Sequence, residues 1–379
     1  MKKIEKKQKI FICCTEQSGE NIAFNICKRL EKYNYQIDGV GGQLSQKYFT
    51  KKFFDISIFK SLGFIEIILS IPKFIKIINF LLLKILKYNY DLVILIDSPD
   101  FNYQLAKKLK KNNFNNKIIQ IVAPTVWAWR EGRAKKFSLV YDEILTLFKF
   151  EKKYFEKYGL KTTFIGHPVS QINSNFTETN KQKKLISFLF GSRENEILKL
   201  YPYFNIIHDY LIKNNLHQYE LFIPTLPHLK EIIQKITNNW KIKLIISDDF
   251  NENENFYKKV FVSVTCSGTA SLEISKRMIP QIVIYKLNLI TFFIFSFLIK
   301  IRFANILNIL NNKMIITEVV NNKLNKKNLL FAFNKLISDQ SFRDNQIKNV
   351  KESIFEIDSL SNPYEICEKR VTDIISKAI

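Results

Sequence analysis

The sequence has 379 residues, of which 46% are hydrophobic, so it is long and apolar enough for two domains that each bury a core. Its 58 lysines and arginines against 35 acidic residues give a net charge of +23. This excess indicates an anionic partner, unless an AT-rich genome, which also favours Asn, Ile and Phe, has imposed it.

The five cysteines are odd in number and contain no CxxC pair. This pattern argues against a disulfide framework and a zinc site, and it favours a reducing cytosol. The basic N-terminal start is followed by only a short apolar run, 9–14 (KIFICC), which we interpret as a strand and not as a signal peptide. No stretch reaches the roughly 18 to 20 apolar residues of a membrane-spanning helix.

Short apolar runs alternate with helical segments along the chain. They lie at 9–14, 91–96 and 117–122, and again at 185–190, 219–224, 243–247 and 259–264. Such runs are typical of parallel strands covered by helices on both faces. The pattern predicts an α/β protein of two doubly wound, Rossmann-like domains that face a cleft, with ligands at the carboxyl ends of the strands.

Two apolar segments break this pattern. On a helix over 71–87, four lysines fall within an arc of about 80°, and most other positions are apolar. These lysines are Lys73, Lys76, Lys84 and Lys87. A narrow lysine stripe beside a wide apolar face is typical of a helix in the bilayer interface, although a core helix with a solvent edge has the same pattern. The segment 287–303 is either a second membrane contact or a buried helix.

Two carboxylate motifs follow predicted strands. TEQSGE puts Glu16 at the mouth of the first strand, as a candidate acid or base, and Ser18 at a helix start, where backbone N–H groups bind anions. IDSPDFN puts Asp97 at the end of a fully apolar strand, as a candidate general base. The ordinary alternative, an aspartate that caps a helix, fits Asp100 better than Asp97.

A cluster of aromatic and basic residues follows the third strand, in APTVWAWREGRAKK. Trp127 lies there beside Arg130 and Arg133, and rings next to fixed cations hold a sugar ring and a phosphate. RNA binding uses the same side chains, but no RRM-like or KH-like pattern accompanies them.

Two glycine-containing turns in the second half predict a nucleotide site. In FGSRENE, Arg193 can reach a diphosphate. In CSGTASLE, the turn of Ser267, Gly268 and Thr269 offers backbone amides to a diphosphate, and Glu273 can accept hydrogen bonds from ribose hydroxyls. The sequence has no P-loop and no GxGxxG, which argues against an ATPase and a dinucleotide oxidoreductase.

Together these motifs resemble the lipid-A-disaccharide synthase family, inverting glycosyltransferases of GT-B fold from Gram-negative bacteria. The most specific are VWAWREGR and the GHP element of FIGHPV. The resemblance covers nearly the whole chain, through TEQSGE, GVGG, LGFIEI, ILIDSPDFN, IVAPTVWAWREGR, ILTLFKFEKKYFEKYG, FIGHPV, FGSRENEI, CSGTASLE and FANILNIL.

The resemblance implies the condensation of UDP-2,3-diacylglucosamine with 2,3-diacylglucosamine 1-phosphate to lipid A disaccharide 1-phosphate and UDP. A carboxylate takes the proton of the acceptor 6-hydroxyl while UDP leaves from the opposite face, so the anomeric centre inverts. The resemblance puts this base in the first domain, with Asp97 ahead of Glu16. It implies no cofactor and no catalytic metal.

The resemblance also divides the chain by role. It implies an acceptor-binding domain over 1–172 and a UDP-sugar-binding domain over 183–362, separated by the polar stretch 171–184, with a helix over 363–379 that packs back on the first. Expected acceptor or phosphate contacts are Ser18, Trp127, Arg130 and Arg133. Expected UDP contacts are Arg193, Ser267, Gly268, Thr269, Glu273 and Asn308.

The chain departs from the family pattern at several positions. Phe190 replaces the usual proline before GSR, and the element NILN, which ends in Asn308, lacks the usual proline. The first motif has Thr15 for a glycine and Glu20 for an aspartate. His167, in GHP, is expected to shape the hinge between the domains and not to bind a metal.

Amphiphilic substrates with anionic head groups would explain both the basic charge and the lysine stripe. We therefore expect a cytoplasmic enzyme that binds peripherally to the anionic surface of the inner membrane. We expect no nucleic-acid partner, and the chain can be a monomer or a homodimer. One alternative is another GT-B enzyme that acts on UDP-sugars, an epimerase or a soluble-acceptor transferase. Another is a non-enzymatic protein that binds membranes or RNA through charge alone.

Overall fold

The computed structural model describes residues 7–59, 64–127, 131–172, 185–286, 303–354, 357 and 361–377. The chain divides into two compact units, Met1–Pro168 with Ile357–Ile379, and Val169–Glu356. Most of the predicted linker, 173–184, and nearly all of the apolar segment 287–303 lie outside the described residues.

The first unit is built on one parallel sheet. Its strands are β1 (Gln8–Cys14), β2 (Tyr35–Gly41), β3 (Lys51–Asp55), β4 (Leu92–Ile96), β5 (Lys117–Ile121), β6 (Glu143–Thr146) and β7 (Lys161–Phe164). They lie in the order β3-β2-β1-β4-β5-β6-β7. β1 pairs with β2 on one side and with β4 on the other, so Cys14 and Ile96 end side by side.

The helices that follow these strands are α1 (Gln17–Leu30), α2 (Phe64–Tyr88), α3 (Pro99–Lys111), α4 (Arg133–Ser138) and α5 (Lys152–Glu156). Short 3-10 turns lie at Ser45–Tyr48, Ile56–Phe59 and Lys149–Glu151. Helix α3 begins at a proline, whose fixed φ suits the first helical position, and it buries Leu105, Ala106 and Leu109.

Helix α2 has apolar residues on its exposed side as well as on its buried side. Its buried residues include Ile77, Ile78, Leu81 and Ile85. Its exposed apolar residues include Ile71, Ile75, Phe80 and Leu83, with exposed fractions of 47%, 47%, 37% and 67%. No helix in the described part of the chain is long and apolar enough to cross a bilayer.

The second unit repeats the architecture. Its strands are β8 (Leu185–Leu189), β9 (Glu220–Pro224), β10 (Leu244–Ser247), β11 (Val260–Cys266), β12 (Gln281–Tyr285) and β13 (Thr317–Val320), in the order β10-β9-β8-β11-β12-β13. Its helices are α6 (Glu194–Lys213), α7 (Lys230–Thr237), α8 (Phe250–Tyr257), α9 (Thr269–Lys276), α10 (Ile306–Asn311), α11 (Lys326–Ser338) and α12 (Gln340–Ile354).

The central strands carry the core of each unit. Every residue of β4 and of β8 is buried, as continuous apolar runs predict for strands covered on both faces. Burying one large aliphatic side chain contributes about 1.5 to 3 kcal/mol before the entropy cost. Phe190, which replaces a family proline, is 1% exposed, and its ring centroid lies 4.1 Å from that of Phe204, so it extends the core beyond β8.

The last helix, α13 (Pro363–Ser376), belongs to the first unit. It packs on α1, where Arg29 lies 3.4 Å from the carboxylate of Glu368, and Tyr33, just after α1, donates a hydrogen bond of 2.9 Å to the same carboxylate. Arg370, on α13, donates two hydrogen bonds, of 3.0 and 2.8 Å, to the buried carboxylate of Glu143, the first residue of β6.

Candidate active site

The strand order of the first unit brings the predicted carboxylates together. β1 and β4 are neighbours. The strand that follows β1 in sequence, β2, lies on one side of this pair, and the strand that follows β4, β5, lies on the other side, so the carboxyl ends of β1 and β4 form a topological switch point. Ligands of open α/β sheets bind at such a point. Glu16 and Ser18 follow β1, and Asp97 follows β4, so all three lie at this position.

Asp97 has a fixed and accessible carboxylate. The hydroxyl of Ser18 donates a hydrogen bond to its Oδ2, and the backbone N–H of Ser98 donates to its Oδ1 at 2.9 Å. The hydroxyl of Ser98 donates to Glu16 Oε1 at 3.2 Å, so one residue contacts both carboxylates. Because Asp97 and Glu16 are only half-buried, a ligand hydroxyl can reach either of them.

The turn that carries Asp97 is strained. Asp97 has a φ of 55° and Ser98 a φ of 38°, both in the left-handed region. Such a conformation costs about 1 to 3 kcal/mol per residue and persists only where the surrounding structure enforces it. Ser98 is also the N-cap of α3. The alternative of an aspartate as the helix cap therefore holds for neither Asp97 nor Asp100, which lies in the first turn of α3.

Glu20 orders the loop after β2, a role that the sequence did not suggest. Its buried carboxylate accepts hydrogen bonds from the backbone N–H groups of Gly42, Leu44 and Ser45 at 2.7, 3.0 and 2.9 Å. A Cβ at Gly42 would lie 2.8 Å from the Glu20 carboxyl carbon, which explains the glycine. An acidic residue in the first turn of α1 was the available signal.

Trp127 is held by a buried carboxylate. Its indole N–H donates to Glu151 Oε1 at 3.2 Å, and its ring meets Phe150 edge to face at 5.4 Å. Glu151 is 3% exposed, and this burial raises its pKa to about 7. The indole N–H is therefore engaged within the protein, and only the half-exposed ring of Trp127 is left for a sugar.

Of the two arginines in the APTVWAWREGRAKK motif, the structure describes only Arg133. Arg130 lies outside the described residues. Arg133 starts α4 and pairs with Asp100 at 2.7 Å, with only 15% of its side chain exposed. The Arg133 guanidinium thus already forms an ion pair with the Asp100 carboxylate of α3.

His167 is buried against Phe148, with ring centroids 5.6 Å apart. Burial lowers the pKa of His167 to about 4, so the ring is neutral at pH 7. Among the described residues, no group of three or more His, Cys, Asp or Glu side chains is arranged to hold a metal ion.

The second unit has its own switch point, between β8 and β11. FGSRENE follows β8 and CSGTASLE follows β11, so the two predicted nucleotide turns end at the same edge. Gly191 and Gly268 have φ angles of 117° and 119°, which require glycine. No atom within 4 Å would meet a Cβ built at Gly268, so the backbone there faces open space.

The predicted UDP contacts beside these turns are accessible. Arg193, Gly268 and Thr269 are exposed, and Ser267 is half-buried. Glu273, one turn into α9, has 38% of its side chain exposed and lies 3.8 Å from Arg277. Arg277, the partner of Glu273, is itself not accessible: 7% of its side chain is exposed, it pairs with Glu254, and its guanidinium lies over the Tyr257 ring, 4.2 Å from the centroid.

Asn308 corrects one expectation. Its side chain is fully buried: Oδ1 accepts from the N–H groups of Ile315 and Ile316 at 2.7 and 2.8 Å, and Nδ2 donates to Glu318 at 2.7 Å. It is therefore not available for direct contact with UDP.

Asn308 instead joins α10 to the segment that follows it, through Ile315 and Ile316, and to the loop before α10 through Glu318. Glu318 also accepts from the backbone N–H groups of Ala304 and Asn305, each at 2.8 Å. The carbonyl of Ala304 in turn accepts from the hydroxyl of Ser267 at 3.0 Å. Asn308 and Glu318 thus act on the Ser-Gly-Thr turn through this loop.

Known proteins resemble the chain over nearly its full length. The family model described as lipid-A-disaccharide synthetase matches residues 10–366. The lipid-A-disaccharide synthase of Rickettsia typhi is 32% identical over 351 residues, which cover 90% of this chain and 92% of the relative. That of Acinetobacter baylyi is 28% identical over 355 residues, which cover 88% of this chain and 89% of the relative.

Solved structures share the fold at low sequence identity. UDP-GlcNAc 2-epimerase from Neisseria meningitidis, bound to UDP-GlcNAc, has a TM-score of 0.59 at 13% identity, covering 98% of this chain and 100% of that chain. The calicheamicin glycosyltransferase CalG4 has a TM-score of 0.63 at 9% identity, covering 98% and 99%. These likenesses show the GT-B fold. With a family model that spans residues 10–366, the chain is a glycosyltransferase and belongs to the lipid-A-disaccharide synthase family.

Proposed function

We propose that the enzyme transfers 2,3-diacylglucosamine from UDP to the 6-hydroxyl of 2,3-diacylglucosamine 1-phosphate, with inversion at the anomeric carbon. The observation that carries the mechanism is the Asp97 carboxylate, which is half-buried, oriented by Ser18 and Ser98, and set at a switch point. A base with these properties can take a proton from a bound hydroxyl.

In the proposed step the acceptor O–H proton moves to Asp97. The acceptor oxygen forms a bond to the anomeric carbon while the bond from that carbon to the β-phosphate oxygen of UDP breaks, and UDP keeps the electron pair. Glu16, linked to Asp97 through Ser98, is the second candidate for the base. The half-exposed ring of Trp127 and the cation of Arg133 are proposed acceptor contacts, together with Ser18 and Arg130.

The second unit is proposed to bind UDP. Anions bind where backbone N–H groups at a helix start meet an open surface, and the glycine turn before α9 has both features. Arg193 and the turn Ser267–Gly268–Thr269 would bind the diphosphate, and Glu273 the ribose hydroxyls. Isothermal titration with UDP tests this assignment: Arg193→Met should weaken binding about tenfold or more, and unchanged affinity would contradict it.

We further propose that the enzyme is cytoplasmic and binds the anionic inner-membrane surface through α2. Exposed Ile71, Ile75 and Leu83 offer an apolar surface, and exposed Lys73, Lys76 and Lys87 lie beside it. Lys84 is half-buried, with its ammonium 5.1 Å from the centroid of the Phe80 ring. Interfacial helices combine such surfaces, and both proposed substrates carry acyl chains.

A further inference from the structure

We propose that Gln120 and Asn102 are positioning residues for turnover, because their side-chain amides fix the peptide group that orients the Asp97 carboxylate. Both side chains are fully buried, Gln120 on β5 and Asn102 on α3. The inference rests on the proposed role of Asp97 as the general base, and it assigns a function to two amides that no motif accounts for.

Both side-chain amides donate hydrogen bonds to one backbone carbonyl oxygen. Asn102 Nδ2 donates to the backbone oxygen of Asp97 at 2.6 Å, and Gln120 Nε2 donates to the same oxygen at 2.9 Å. That carbonyl belongs to the peptide group whose N–H, on Ser98, donates to Asp97 Oδ1 at 2.9 Å. The two amides therefore fix the C=O of this peptide group by hydrogen bonds, and the N–H of the same peptide group fixes the carboxylate.

Gln120 also connects two strained turns. Val122, just after β5, has a φ of 72°, a rare conformation for a β-branched residue. Gln120 Nε2 lies 3.1 Å from the carbonyl oxygen of Val122 as well as 2.9 Å from that of Asp97. One buried amide thus supports the left-handed backbone after β4 and the left-handed backbone after β5.

The donor groups of the two amides are what this arrangement requires. Apolar side chains of the same size would fill the same space, but they could not donate to the Asp97 carbonyl.

Isosteric variants of the full-length enzyme test the inference. Gln120→Met and Asn102→Leu preserve size but cannot donate a hydrogen bond. We expect kcat, counted per UDP-binding site, to fall about 10- to 100-fold, since a small misplacement of a catalytic group has effects of this order. KM for both substrates should change less than about twofold, because substrate binding is untouched.

Gln346→Met is the matched control. Gln346 is also buried, and it bridges the backbone N–H and C=O of Gln281 at 2.7 and 2.9 Å, at the start of β12 in the second unit. Its loss removes comparable hydrogen bonds without touching Asp97, so kcat per UDP-binding site should stay at the wild-type value. An equal fall in this control would overturn the inference.

A double variant separates positioning from general damage. With Asp97→Asn in place, adding Gln120→Met should slow the residual turnover less than about twofold, because the positioned group is already lost. Losses that multiply, or a Gln120→Met kcat near wild type, overturn the inference. If Asp97→Asn itself turns over normally, the proposed base is wrong and the inference falls with it. If Gln120→Met does not fold, Asn102→Leu decides the question by the same criteria.

Discussion

Asp91 and Asp97 lie at opposite ends of β4 and offer a matched test of the general base. Asp97→Asn should lower kcat about 10²- to 10⁴-fold, because an amide cannot accept the acceptor proton, while UDP affinity stays unchanged. Asp91 lies at the amino end of β4, away from the site, where it accepts a hydrogen bond of 2.8 Å from the backbone N–H of Lys9. Asp91→Asn should therefore keep near-normal turnover in a UDP-release assay. Equal losses in both variants would contradict the assignment.

Glu151 should make stability fall with rising pH. Its folded pKa of about 7 lies above the ordinary value of 4.5, so the folded state binds the extra proton between these values and loses that advantage as pH rises through 7. Relative to wild type, Glu151→Gln should gain about 2 to 3 kcal/mol between pH 5 and 8. Urea unfolding of both proteins at the two pH values measures this difference.

The difference between variant and wild type matters because His167 acts in the opposite direction. Its folded pKa of about 4 lies below the ordinary 6.5, so its contribution to stability grows as pH rises across that window. Comparing Glu151→Gln with wild type cancels the His167 contribution. An unchanged difference between pH 5 and 8 would show that Glu151 does not titrate in this range.

Residues that directly follow strands could be placed together from the sequence, whereas buried residues that contact them from inside the fold could not. The proximity of Glu16, Ser18 and Asp97 was predictable because the carboxyl ends of neighbouring parallel strands meet at one edge. Gln120 looks like an ordinary polar residue in a strand, and its partner Asp97 is 23 positions away in sequence. Glu151 likewise gives no local sign that it binds Trp127.

Among the elements, α2 carries the proposed membrane contact. Each lysine near an anionic bilayer contributes about 1 kcal/mol, so neutralising Lys73, Lys76, Lys84 and Lys87 to glutamine should weaken binding to anionic vesicles at least about tenfold. Vesicle sedimentation measures this binding. The charge-matched control neutralises four exposed lysines of the second unit, Lys258, Lys259, Lys326 and Lys327.

The control should bind vesicles like wild type. Equal losses in the two variants would mean that net charge alone attracts the protein, and undiminished binding of the α2 variant would remove this helix as the contact. Leu83→Glu complements the test, because it puts a charge on an apolar position of α2 that is 67% exposed, without removing a lysine.

The loop before α10 shows where a family motif misleads. The motif correctly marks a loop that is tied to the Ser-Gly-Thr turn, since Ser267 bonds to Ala304. It could not indicate that Asn308 faces inward, because that depends on Glu318, a buried carboxylate on β13. Position along a motif identifies a neighbourhood, but burial decides which side chains contact a ligand.

For the whole molecule, α13 joins the end of the chain to the first unit through Arg370. Arg370→Met should destabilise the protein by about 3 kcal/mol, because it removes the main partner of the buried Glu143 carboxylate. Lys369→Met likewise replaces a cation with a thioether, at an exposed position of the same helix, and should cost little. Thermal melts of both variants measure the difference, and similar melting temperatures would contradict this view of α13.

The overall architecture was largely predictable because it depends on a repeated local pattern. Runs such as DLVILI and LISFLF became the wholly buried strands β4 and β8. The order of the strands within each sheet could not be read from these runs, since it depends on contacts between distant segments. Strand order is also what creates the two switch points, so the geometry of the site required the structure.

The most direct test of the account is UDP release by the purified enzyme in detergent or vesicles, with UDP-2,3-diacylglucosamine and 2,3-diacylglucosamine 1-phosphate supplied together. We expect one UDP and one disaccharide 1-phosphate per turnover, with neither formed when either substrate is omitted. No UDP above background from a preparation that binds UDP, or UDP released without the acceptor, would contradict it.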